Sequence, residues 1–182
     1  MLNDSKKFLT ATILIVMTGC VSTNKPDTNQ ETPKGVPVSQ SSTPYKYLSW
    51  ANGLTEECHS IRNRDGAEQA IKCYDILVEK YPNHACGLNN YAWLLATHSE
   101  SKYRNKELAL KYSLRSVENS KNLSESHLAS HLDTLAAAYA ENGDFENAIK
   151  IQQEVIKLRK SSEKSDSWLR LKLYKENQPF HE

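Results

Sequence analysis

The chain has 182 residues, 38% of them hydrophobic and 25% charged, with 23 Lys and Arg against 22 Asp and Glu. That length supports one domain with a real core, and charge so evenly balanced excludes an electrostatic nucleic-acid binder, which needs a clustered basic face. Six glycines are poor material for an active-site loop scaffold; with no Gly-rich phosphate loop and no Gly-x-Ser-x-Gly elbow, enzyme activity is not expected.

Lys6 and Lys7 precede the ten-residue apolar stretch Phe8 to Met17, and Met17-Thr18-Gly19-Cys20 closes it. A positive start, a short apolar run and small residues before a cut describe a secretory signal peptide. The run is too short for a spanning helix, which needs about 20 apolar residues. With a cysteine directly behind it, the signal resembles the bacterial lipobox, departing from it at Met17, where Leu is commonest. The resemblance implies cleavage after residue 19 and lipid on Cys20, giving stable anchoring through more than one acyl chain. Val21, where an Asp would retain an enterobacterial-type lipoprotein in the inner membrane, points to the outer membrane's inner leaflet, facing the periplasm. Losing Lys6, Lys7 and Asp4 takes the 23 basic and 22 acidic residues to 21 of each, so the mature chain is formally neutral.

Residues 20–44 form the next unit. Pro26, Pro33, Pro37 and Pro44 punctuate a Ser/Thr/Gln/Asn-rich segment without an aromatic residue. Such a segment cannot bury enough apolar surface to order itself. It is expected to act as a tether with an end-to-end distance of roughly 25 to 30 Å.

From Tyr45 to residue 160 the pattern is helix after helix, so the fold class is all-α. After Asp65, the residues Ala67, Ala70, Ile71, Tyr74, Leu77, Val78 and Tyr81 share one helical face. Asp65 and Glu68 have capping-box spacing, and Tyr81-Pro82 ends the helix. Another helix follows Gly143-Asp144, with Ala148, Ile149, Val155 and Ile156 turned inward. Residues 161–182 are expected to give a last helix over Ser167 to Glu176, ended by Asn177 and Pro179. Trp168, Leu171 and Tyr174 would pack it back as a cap.

Ala70, Ala109 and Ala148 recur at intervals of 39 residues, each opening the second helix of a pair. Leu132, Leu135, Ala136 and Tyr139 stand before Ala148. The pattern resembles the tetratricopeptide repeat. Asn89-Asn90-Tyr91-Ala92-Trp93-Leu94-Leu95-Ala96-Thr97 and Leu132-Asp133-Thr134-Leu135-Ala136-Ala137-Ala138-Tyr139-Ala140-Glu141 are similar to phrases in bacterial members of that family. The resemblance implies an α-solenoid of about three helix pairs, with Cys58 against Ala70, Ala92 against Ala109 and Ala136 against Ala148 as close-approach positions. Three departures stand out: Glu57 and Gln152 replace apolar or aromatic residues, and a five-residue excess lies near His98 to Asn105.

By the same resemblance, the first helices of the pairs line a groove that takes a partner's peptide. Asn52, Thr55, His59 and Arg62 would face it from the first pair, Asn89 and Trp93 from the second, and Asp133, Ala137 and Glu141 from the third. Trp93 is the hot-spot candidate. Only Arg62 is placed as a groove cation, so binders of terminal carboxylates through several basic residues are not the expected class.

Cys58, Cys73 and Cys86 remain in an exported chain. Cys58 and Cys73 lie on paired helices and are the preferred disulfide, with three buried thiols as the alternative. His127 and His131 are four apart, a spacing that can hold a metal, but no third ligand stands near; no metal or cofactor is expected beyond the lipid. His59, His84, His98 and His181 are isolated in sequence. Taken together, the expectation is a membrane-tethered adaptor that binds an envelope protein and no nucleic acid. A self-associating structural lipoprotein is the first alternative and a metal-binding protein using His127 and His131 the second.

Overall fold

The computed structural model describes residues 44–160, 162 and 164–182. Residues 1–43, on which the expected leader, the lipidation at Cys20 and nearly all of the tether fall, lie outside the described residues. Seven α-helices follow in order: α1 (Pro44–Asp65), α2 (Ala67–Lys80), α3 (Ala85–Thr97), α4 (Lys106–Glu118), α5 (Glu125–Glu141), α6 (Phe145–Leu158) and α7 (Lys164–Lys175). A short 3-10 turn, Ser101–Tyr103, occupies the long connection between α3 and α4. No strand occurs among the described residues, and none of their helices is long and apolar enough to cross a membrane.

Helices pack as consecutive pairs: α1 on α2, α3 on α4, α5 on α6. The first members also touch in sequence, α1 against α3 and α3 against α5, while α7 packs on α6 and reaches α5. Small residues let the pairs approach: Cys58, Ala70, Ala92, Ala109, Ala136 and Ala148 are all fully buried. Two clusters make up the core. Tyr74, Leu77, Tyr91, Trp93 and Leu94 dominate the first, and Ala136, Ala140, Ala148 and Tyr174 form the second. Phe180 packs against both. Across the first cluster Tyr74, Tyr91 and Tyr112 stack in series at 5.2 Å per step.

Helix ends follow local chemistry. The side chains of His84, Asn105, Ser124 and Asp144 each accept a backbone N–H at the start of α3, α4, α5 and α6, satisfying donors that have no partner inside the helix. The box expected from Asp65 and Glu68 does not form. Helix α1 runs through Asp65, whose carboxylate takes Arg64 Nε, and Glu68 accepts from Lys72. Gly66, at φ 91°, turns the chain into α2 instead, a left-handed backbone that glycine adopts without a Cβ penalty. Helix α1 begins at Pro44, one residue ahead of Tyr45, where the helical pattern was expected to open.

Cys58 and Cys73 form a disulfide with Cα atoms 5.4 Å apart, joining α1 to α2. Cys86 is buried outside that bond. Trp168 corrects an expectation: it is 55% exposed. Helix α7 buries Ser167, Arg170, Leu171 and Tyr174, and Trp168 falls about 100° from Ser167 on the helix, outside that face.

Candidate functional site

The first helices carry Asn52, Thr55, His59 and Arg62 on α1, Asn89 and Trp93 on α3, and Asp133, Ala137 and Glu141 on α5. Three of these, Arg62, Trp93 and Glu141, meet at one feature: the segment after α7 lies across them. Helix α7 ends with Asn177 in the left-handed region at φ 55°, where asparagine is tolerated. Gln178 N–H donates to Leu173 O at 2.9 Å and Asn177 N–H to Tyr174 O at 3.1 Å, a Schellman-type stop. Pro179 then prevents further helix, and residues 178–182 cross the face without regular structure.

Each of the last three residues has its own seat. The Phe180 ring lies 6.0 Å from that of Trp93, and the Arg170 guanidinium stands 5.5 Å from the Trp93 centroid and 5.4 Å from that of Phe180. His181 Nε2–H donates to Glu141 at 2.7 Å, while Arg104 Nε donates to the other oxygen of the same carboxylate at 2.9 Å. The Glu182 carboxylate pairs with Arg62 and accepts the Trp93 indole N–H at 2.8 Å. The backbone joins in, with Glu182 N–H donating to Thr97 O at 2.8 Å. An aromatic contact, a charge-assisted hydrogen bond and one main-chain bond are the means by which extended peptides are commonly held.

Other expected residues serve the interior. Asp133 is 4% exposed: it takes Arg170 through both oxygens at 2.9 and 2.6 Å, Arg159 at 2.9 Å and Gln152 at 2.8 Å. Its carboxylate therefore fixes α6 and α7 to α5 and does not face a partner, because the buried Arg170 and half-buried Arg159 guanidinium groups leave it no open side. Through Arg170 it also positions the ring pair of Trp93 and Phe180. Thr55 is buried and donates to Ala51 O. Asn52 Oδ1 accepts from His84 Nε2 at 2.8 Å, while His84 Nδ1 accepts from Gly87 N–H at 3.2 Å. These two bonds select the neutral ring with its proton on Nε2, and burial pushes the His84 pKa down to about 4, with a smaller contribution from His131. Asn89 is buried; its Nδ2 donates to Asn90, and its Oδ1 has no partner among the described residues. His59 is half-buried beside Asn63, and Ala137 is core.

His127 and His131 are not brought together as ligands. His127 lies against the Ser124 hydroxyl at 2.7 Å, and His131 is fully buried against Ser116 at 2.6 Å. Among the described residues no group of three His, Cys, Asp or Glu side chains is placed to hold a metal.

Sequence reasoning missed Arg104, Arg170, Phe180, His181 and Glu182. Arg170 reads as ordinary helix surface, since its partner Asp133 is 37 residues away. The one signal on offer was Phe180, a lone aromatic behind a proline in a polar segment. His84 and His181, isolated in sequence, both have buried or half-buried carboxylate and amide partners in space. No protein-family model and no curated protein matches the chain.

Proposed function

We propose that the protein is a lipid-anchored adaptor of the bacterial envelope. Its three helix pairs act as tetratricopeptide-like repeats with α7 as the closing helix, and the face of α1, α3 and α5 binds an extended segment of an envelope protein. The observation that carries this reading is the unstructured segment 178–182, seated on that face by Arg62, Trp93, Thr97 and Glu141. Lipid on Cys20 and a tether ahead of Pro44 complete the proposal and rest on the sequence pattern.

The test is a photo-crosslinker at His59 in the full lipoprotein, in cells of its own host, with captured proteins identified by mass spectrometry. The reading expects one dominant envelope protein, lost on Arg62→Ala. Crosslinks only to other copies of the chain, or a capture insensitive to Arg62, count against it.

A second reading has its own observation. Trp168 and Leu169 are 55% and 52% exposed on α7, beside a shallow hollow lined by Trp168, Leu171, Lys172 and Lys175. An apolar pair of this kind suits self-association. Sedimentation that depends on concentration and is abolished by Trp168→Glu would favour this structural role.

A further inference from the structure

We infer that residues 180–182 are an intramolecular stand-in for the partner: the face recognises an aromatic residue followed two positions later by an acidic one, and this segment latches it shut. The inference rests on the adaptor reading and adds to it a ligand class and a form of regulation.

The seats define the motif. The Phe180 ring meets the tilted Trp93 ring at 6.0 Å and the Arg170 guanidinium at 5.4 Å, the three groups standing in mutual contact, and an aliphatic side chain there cannot reproduce the aromatic and cation contacts. Two positions on, Arg62 and the Trp93 indole N–H converge on one carboxylate. Both are donors only, so an amide or a basic side chain there leaves a charge or a donor unmatched. The middle position faces Glu141, which already accepts from Arg104, and suits a donor such as His, Lys or Arg. Thr97 O asks for a backbone N–H from the acidic residue.

The backbone and the acidic seat hold the segment lightly, while Phe180 and His181 add side-chain contacts. A single main-chain hydrogen bond joins it to α3, and the Glu182 side chain keeps 27% of its exposure. A short chain nonetheless gives the segment an effective concentration in the millimolar range. A partner segment using the same seats must therefore compete, and its apparent affinity falls by the fraction of molecules whose face is open.

The experiment uses the full chain and a fluorescein-labelled peptide of residues 177–182, capped at both ends, followed by anisotropy. The full chain carrying Phe180→Ala and Glu182→Gln should bind this peptide at least about tenfold tighter than the unaltered chain. Adding Arg62→Ala, or replacing the peptide's phenylalanine by alanine, should abolish the gain. Because Phe180 touches both core clusters, a second variant with Glu182→Gln alone keeps the ring in place and should show a smaller gain in the same direction. Equal affinity of the unaltered and altered chains overturns the latch. No binding to either variant, with helical circular dichroism retained, overturns the recognition motif. If the crosslinker at His59 still captures a partner in that case, the adaptor reading stands and only this inference falls.

Discussion

Removing the Asp133 carboxylate strands the guanidinium groups of Arg159 and Arg170, of which Arg170 has a side chain only 5% exposed. Breaking a buried pair by deleting one partner costs about 3 to 5 kcal/mol. Asp133→Ala should lower the unfolding free energy in urea by that amount, and a loss under about 1 kcal/mol would show the network to be dispensable. The same variant frees Arg170 and should disorder the ring pair of Trp93 and Phe180. His84 predicts a pH effect of definite sign. Its folded pKa of about 4 lies below the ordinary 6.5, so the unfolded chain binds the extra proton first. Stability is then full above about pH 6.5 and declines as pH falls toward about 4, by up to about 3 kcal/mol. Protonating Nδ1 would also remove the acceptor for Gly87 N–H. Chemical denaturation at pH 7 and pH 5 should show the decline, and His84→Asn should flatten it; a loss unchanged in that variant would assign the acid sensitivity elsewhere.

At the scale of elements, the Cys58–Cys73 bond closes a loop of 15 residues between α1 and α2, for which the chain-entropy argument gives about 3 kcal/mol. Dithiothreitol should lower the melting temperature of the protein, while leaving a Cys58→Ala, Cys73→Ala double variant unmoved; no change in the parent would mean the pair contributes nothing. Between α2 and α3, Gly87 fits against Leu77, and an added Cβ would overlap Leu77 Cδ2. Gly87→Ala should therefore cost about 1 to 3 kcal/mol, checked by the same melts. Helix content and pairing were legible in the sequence because they rest on local spacing. Ala70, Ala109 and Ala148 mark the second helices, and Tyr81-Pro82 and Asp144 set an end and a start within one residue. Cap chemistry at Asp65 was misread because two helices meet there and only the backbone angle at Gly66 decides between them. Trp168 was misread because α7 buries a charged residue, Arg170, whose partner Asp133 lies 37 residues away, and no periodicity rule assigns a buried face to arginine. The candidate site divided along the same line: its helices were legible, whereas its occupant arrives from residues 180–182 through contacts 89 and 120 positions distant.

For the whole molecule, one core cluster runs from α1 to α5 and the other from α5 to α7, and both are packed by Phe180. The segment seated on the face of α1, α3 and α5 is thus tied to the packing of both clusters, and on the proposed reading its release exposes Arg62, Trp93 and Glu141 together. Asp133 fastens α7 to α5 through Arg170, so the closing helix, the ring pair and the latch form one connected unit. On the proposed reading, a lipid anchor would hold this unit near a membrane while the segment ahead of Pro44 sets its reach. The central claim is that the face of α1, α3 and α5 takes an extended aromatic-x-acidic segment. Amide and indole chemical-shift mapping of the full chain carrying Phe180→Ala and Glu182→Gln, titrated with the capped peptide of residues 177–182, tests it most directly. The account predicts saturable shifts at the Trp93 indole N–H and at Arg62, Thr97 and Glu141. Shifts gathered at Trp168 and Lys172 on α7, with the Trp93 indole unmoved, would contradict it.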